Sequence, residues 1–212
     1  MSHSWRLGDS EQFCLTLSLN RSPAEIIRIY GADEGAARQL LSQDTPDAPP
    51  LGTVLRSGSL GEWGFCIEFE DPIGFTNGVM RDLSIDTESI ILFRTAKALT
   101  VFHCVVNGRV IEWFAPGYPP SVRGHSSHQF SQRIHALTSA GMDSIAACLD
   151  VIARCVGQEI TTEILRGSLL SVIVDEPDRD ALERPDPPLL HPRDTQENPR
   201  PLGRPLPAFP TP

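Results

Sequence analysis

Glu62-Trp63-Gly64-Phe65-Cys66-Ile67-Glu68-Phe69-Glu70 places a bulky apolar side chain at every odd position and a small or acidic one at every even position. That period of two is the mark of a strand with one face toward a core. The extended pattern runs on through residue 116 and back to residue 52, predicting strands over 52–56, 62–70, 87–95, 98–106 and 109–114. Ser57-Gly58-Ser59 reads as the turn between the first two, and Asp71-Pro72 closes the second. Asn107-Gly108 joins the last two, because this residue pair tolerates the positive φ angles of a type I′ turn. The segment 74–83 reads as loop plus one helical turn, and Ala115-Pro116-Gly117-Tyr118-Pro119-Pro120 as loop.

On both sides of this block the spacing turns helical. Asp9 with Gln12 three residues on predicts a helix over 9–18 that buries Phe13, Cys14 and Leu17. Ser22-Pro23-Ala24-Glu25 is a capping box with proline at the first helical position, and Gly31 is its stop. Ala36, Ala37, Leu40 and Leu41 predict a third helix over 34–43. Toward the C-terminus, helices are expected over 129–140, over 144–156 behind an Asp143 cap, and over 161–166. Residues 168–174 fit a strand or a helix equally.

From Asp175 onward, the stretch 175–212 holds 11 of the chain's 19 prolines, a composition that cannot bury enough apolar surface to offset its ordering entropy. The expected organisation is therefore one α+β domain over 1–174 and a disordered proline-rich tail over 175–212. Its architecture is expected to be a mostly antiparallel sheet of about five strands, with N- and C-terminal helices packed on one face and the other partly wet.

A net charge of -9 argues against nucleic acid or an anionic membrane as partner, since phosphate binding needs clustered cations. No apolar run reaches the ~20 residues that span a bilayer, and the N-terminus lacks a signal-peptide pattern. Cys14, Cys66, Cys104, Cys148 and Cys155 sit among apolar neighbours without Cys-x-x-Cys spacing, as buried thiols in a reducing compartment do. A cytoplasmic location follows as the expectation. Lys97 is the only lysine beside 17 arginines, a bias expected of a GC-rich genome.

Several pieces recur together: Phe13-Cys14-Leu15-Thr16-Leu17, Ser22-Pro23-Ala24-Glu25-Ile26-Ile27, Gly61-Glu62-Trp63, Thr100-Val101-Phe102 and Phe114-Ala115-Pro116. In these the chain resembles an uncharacterised actinobacterial family classed as a domain of unknown function. The likeness runs from Trp5 to Leu165 and stops short of the tail. It implies membership and carries over no catalytic residue.

His125, His128 and His135 are the one clustering of metal-ligand side chains, but the i, i+3 spacing and absence of an intervening acid depart from the zinc helix motif. Glu62, Glu68 and Glu70 share a strand face, with Glu112 on a neighbouring strand, as a solvated acidic row or as paired carboxylates. Small Gly64 and Cys66 beside Glu68 leave room for a pocket, and His103 reads as a hydrogen-bonded core histidine. No Gly-x-Ser-x-Gly elbow, phosphate loop or dinucleotide fingerprint is present.

The favoured expectation is a non-catalytic binding, regulatory or immunity-type protein with no metal and no cofactor, meeting a protein partner through Glu68, Trp113, Tyr118 and Arg123. The alternative is a hydrolase-like enzyme using Glu68 with His125, His128 and His135 around one pocket, with or without a metal. A third reading makes the tail the working part, through the Arg-x-x-Pro-x-x-Pro spacing from Arg204 to Pro210.

Overall fold

A computed structural model describes residues 12–69, 72–124 and 128–175. The expected helix cap at Asp9, Glu70, Asp71, His125 and the tail beyond Asp175 lie outside the described residues. The five strands expected from alternation are present as β3 (Thr53–Leu60), β4 (Trp63–Phe69), β5 (Glu88–Arg94), β6 (Thr100–Val106) and β7 (Arg109–Ala115). Asn107 and Gly108 take φ of 50° and 73°, the left-handed pair that a type I′ hairpin needs. Ser57-Gly58-Ser59 is not a turn: β3 runs through it and the chain reverses at Gly61-Glu62, with Gly61 at φ 59°.

The sheet is larger than the five strands expected. Among the described residues, four more strands, β1 (Phe13–Leu19), β2 (Arg38–Leu40), β8 (Tyr118–Gly124) and β9 (Leu169–Val174), extend it to nine antiparallel strands in the order β2-β9-β3-β4-β1-β5-β6-β7-β8. The described part of the expected first helix, from Phe13 onward, is therefore strand. Phe13, Leu15 and Leu17 alternate with Cys14, Thr16 and Ser18, and this central strand pairs with β4 on one side and β5 on the other. The Asp9–Gln12 cap cue competes with that alternation, and two-sided pairing in the sheet decides the outcome. Residues 34–43 likewise form an edge strand on β9 and a 3-10 turn at Ser42–Asp44 instead of a helix. The stretch expected as loop is a hairpin, turning at Pro116-Gly117 with Gly117 at φ 82°.

Helices cover both faces, which corrects the one-sided packing expected. On one face lie α1 (Pro23–Ile29) and α2 (Asn77–Leu83); on the other lie α3 (Gln129–Ser139), α4 (Ser144–Val156) and α5 (Thr162–Arg166). Alternation along each strand feeds a core on both faces of the sheet. Trp63, Phe65 and Ile67 join Ile145, Cys148 and Ile152 of α4, while Cys66 joins Ile26 and Ile27 of α1. The Ser22 capping box forms as the sequence implies: Ser22 Oγ accepts from the Glu25 amide and the Glu25 carboxylate accepts from the Ser22 amide. Asp143 caps α4 through the Ile145 and Ala146 amides, and Gly157 ends it at φ 80°. On the α4 face Arg56 is buried and donates to the carbonyls of Leu165, Gly167 and Leu40, tying the end of α5 to β2.

Candidate functional site

Glu68 lies on the α1 face of β4 with no solvent exposure, so the acidic row is not a wet face at this position. The reason is α1, which covers the strand. Its carboxylate accepts from the Ile73 amide at 2.8 Å, the Gly74 amide at 2.8 Å and Thr53 Oγ1 at 3.3 Å. Burial pushes the Glu68 carboxyl up to about 7, against the opposing pull of the two amides and the Thr53 and Tyr30 hydroxyls. Every one of these donors is neutral. Tyr30, at the end of α1, hydrogen-bonds Thr16 of the central strand at 2.8 Å, so helix, loop and sheet meet in one buried polar cluster. The room expected beside Gly64 is filled: a Cβ there would collide with the Arg21 carbonyl oxygen and lie 2.7 Å from Ile26 Cδ1. Both oxygens of Glu68 therefore hold the 73–74 loop down on the sheet and face no open space.

A second buried glutamate repeats this use on the opposite face. Glu112 of β7, 2% exposed, accepts from the Phe130 amide at 3.2 Å and the Ser131 amide at 2.8 Å. The residue preceding α3, His128, has left-handed φ and ψ of 38° and 39° and gives no side-chain cap, so a carboxylate from a neighbouring strand satisfies the first-turn amides. An extra residue in β7, Ile111, shifts the register between Cys104 and Val105 and sets Glu112 opposite Cys104 on the helix side. Glu112→Ala is expected to lower unfolding free energy by about 2 kcal/mol, because two helix amides lose their acceptor. Urea denaturation checks the size, and unchanged stability would contradict the capping role. Sequence reasoning placed Glu112 with Glu68; the structure separates them by the thickness of the sheet.

Glu112 fixes α3 against the β7–β8 hairpin, and between the two lies a groove of about 250 Å³. Buried Phe114 and Ile134 form its floor with Val122; Tyr118, His128, Gln132 and His135 stand around its rim. Tyr118 is 61% exposed. Ser121 braces the hairpin, accepting from the Ala115 amide at 2.7 Å and donating to the Tyr118 carbonyl at 2.6 Å. The groove thus brings together Tyr118, His128 and His135 and leaves out Glu68, which is buried on the other face. The convergence required by the hydrolase reading is absent among the described residues, and no cluster of three potential metal ligands occurs among them. Trp113 and Arg123 are direct neighbours across β7 and β8 and share the α1 face.

Trp113 packs edge-on against His103, with centroids 6.0 Å apart, and Phe75 does the same at 5.2 Å. Burial holds the His103 imidazole down to about 3, and neither ring nitrogen has a hydrogen-bond partner. It is a core residue, as expected, but not a hydrogen-bonded one. Cys14, Cys66, Cys104 and Cys148 are buried free thiols and Cys155 is half-buried. Burial pushes Cys155 up to about 12, far from thiolate chemistry at neutral pH.

The model of a family of unknown function, DUF6461, matches residues 2–169. This chain belongs to the DUF6461 family. The match takes in both glutamates and the groove, and ends at the start of β9, so the DUF6461 unit and the resemblance read from residues 5–165 coincide. No curated protein and no solved structure matches the chain.

Proposed function

We propose that this DUF6461 protein is a non-catalytic domain of regulatory or immunity type that meets a protein partner at the groove between the β7–β8 hairpin and α3. The observation that carries the reading is the exposed Tyr118 standing over an apolar floor with a polar rim. Aromatic side chains of this kind anchor interfaces, giving large contact area and a hydroxyl handle. The two buried carboxylates support it from the other side, because their oxygens hold backbone amides and are withdrawn from acid-base work. The excess of arginine over lysine supports an actinobacterial source, and the free thiols support a cytoplasmic setting. No helix among the described residues is long and apolar enough to cross a membrane.

Tyr118→Ala is the test. Tyr118 is largely exposed, so stability is expected to stay within about 0.5 kcal/mol while recovery of the partner from the native host falls at least tenfold. Trp113→Ala, on the opposite face, serves as the comparison. Undiminished partner recovery by Tyr118→Ala, or turnover of a small molecule by the purified protein, would refute the reading.

A further inference from the structure

We infer that the groove takes a polyproline II segment, and that its occupant is this chain's own Arg204-Pro205-Leu206-Pro207-Ala208-Phe209-Pro210. This rests on the partner-binding reading and names the ligand class for the same site. At about 250 Å³ the groove falls short of the ~300–1,000 Å³ of small-molecule sites, and its open shape suits side chains projecting from a passing peptide. Polyproline II has no internal hydrogen bonds, so its carbonyls face outward as acceptors, and prolines offer no amide donor in return. A matching surface combines aromatic ridges with donors. Tyr118 and Phe114 supply the ridge and floor; the Tyr118 hydroxyl and Gln132 amide supply donors at the rim. None of the groove's lining side chains is a carboxylate, so Leu206, Phe209 and the prolines, not Arg204, carry the contact.

The reach is sufficient. β9 ends at Val174 and lies seven strand steps from β8, ~34 Å at ~4.8 Å per step. The 28 residues 176–203 are enough chain to reach ~87 Å at the ~3.1 Å per residue of polyproline II, well beyond the distance required. A second groove of about 270 Å³, nearer the end of β9 and lined by Arg38, Leu40, Pro46, Val54 and Ile173 among others, has no aromatic side chain and so lacks the ridge. The groove is inside the family match and 204–210 is beyond it, which makes this segment an intramolecular competitor for the partner.

The experiment compares amide NMR spectra of the ¹⁵N-labelled full chain with those of the Leu206→Asp/Phe209→Asp double variant. Amides of Gly117, Tyr118, Val122 and Gln132 are expected to shift between the two while those of Arg38 and Ile173 stay still. A synthetic peptide of residues 200–212, added to the double variant, is expected to return the groove signals toward their wild-type positions. Identical groove signals in both proteins, or peptide shifts confined to Arg38 and Ile173, would overturn the inference. Failure here with a partner still bound through Tyr118 leaves the binding reading intact. Tail-dependent shifts with no partner lost on Tyr118→Ala would show the reverse.

Discussion

Replacing Glu68 with alanine is expected to lower the unfolding free energy by about 3–5 kcal/mol. The carboxylate is the acceptor for two buried amides, those of Ile73 and Gly74, and each orphaned buried donor costs about 1–3 kcal/mol. A domain of this size is stable by about 5–15 kcal/mol, so the loss is a large share of the whole. Glu68→Gln keeps the shape and one acceptor oxygen, and separates the charge from the packing. Because burial raises the Glu68 carboxyl to about 7, above its unfolded value, its contribution is complete in acid and is lost as pH rises through 7. The stability gap between wild type and Glu68→Gln is therefore expected to narrow by about 3 kcal/mol from pH 4.5 to pH 8. Urea titrations across that range check it. A gap that widens with pH would mean a carboxylate held down by donors or cations, and would contradict the burial-dominated account.

Gly64→Ala is expected to cost about 3 kcal/mol or more. The new Cβ would meet the Arg21 carbonyl oxygen, which belongs to backbone just ahead of the capped α1, as well as Ile26 Cδ1 at 2.7 Å. Backbone at a helix start cannot step aside the way a side-chain tip can, and overpacking a dense core costs about 1–3 kcal/mol even where side chains absorb it. The expected sign is a lower melting temperature, together with faster hydrogen exchange in α1. An alanine variant as stable as wild type would mean that α1 rides higher above β4 than the fold described here. Gly64 and Glu68 share the α1 face, so both predictions probe the same seam between helix and sheet.

The strands from 53 to 115 were legible because their apolar residues alternate and Asn107-Gly108 fits a tight hairpin, whereas the turn at Gly61-Glu62 was not, since Ser57-Gly58-Ser59 carries the same local cue inside β3. Ser22, Asp143 and Gly157 marked helix ends for the same local reason. Residues 13–19 read as helix because Phe13, Cys14 and Leu17 fall at helical spacing behind the Asp9 and Gln12 cue, which pairing on both sides within the sheet overrides. Thr16 and Ser18 make sense only once Tyr30 and Ser89 are seen opposite them. Residues 38–40 and 118–124 are edge strands whose pairing partners, β9 and β7, decide their conformation. The same limit applied to the acids: alternation places Glu68 on a face, but only α1 makes that face dry. Glu112 left one signal, an acid inside the apolar run Val110-Ile111-Glu112-Trp113-Phe114, yet its partners lie 18 and 19 residues away at α3. Tyr118 was readable as a binding candidate; the apolar floor beneath it, supplied by Phe114 and Ile134, was not.

If the buried acids serve the scaffold and the rim of the groove serves the partner, a photo-crosslinking amino acid will report it at once. Installed at position 118 or 132 in the native host, it is predicted to yield a discrete adduct with one protein. Installed at 85, on an exposed side chain away from the groove, it is predicted to yield none. Adducts formed at 85 and absent at both 118 and 132 would contradict the account.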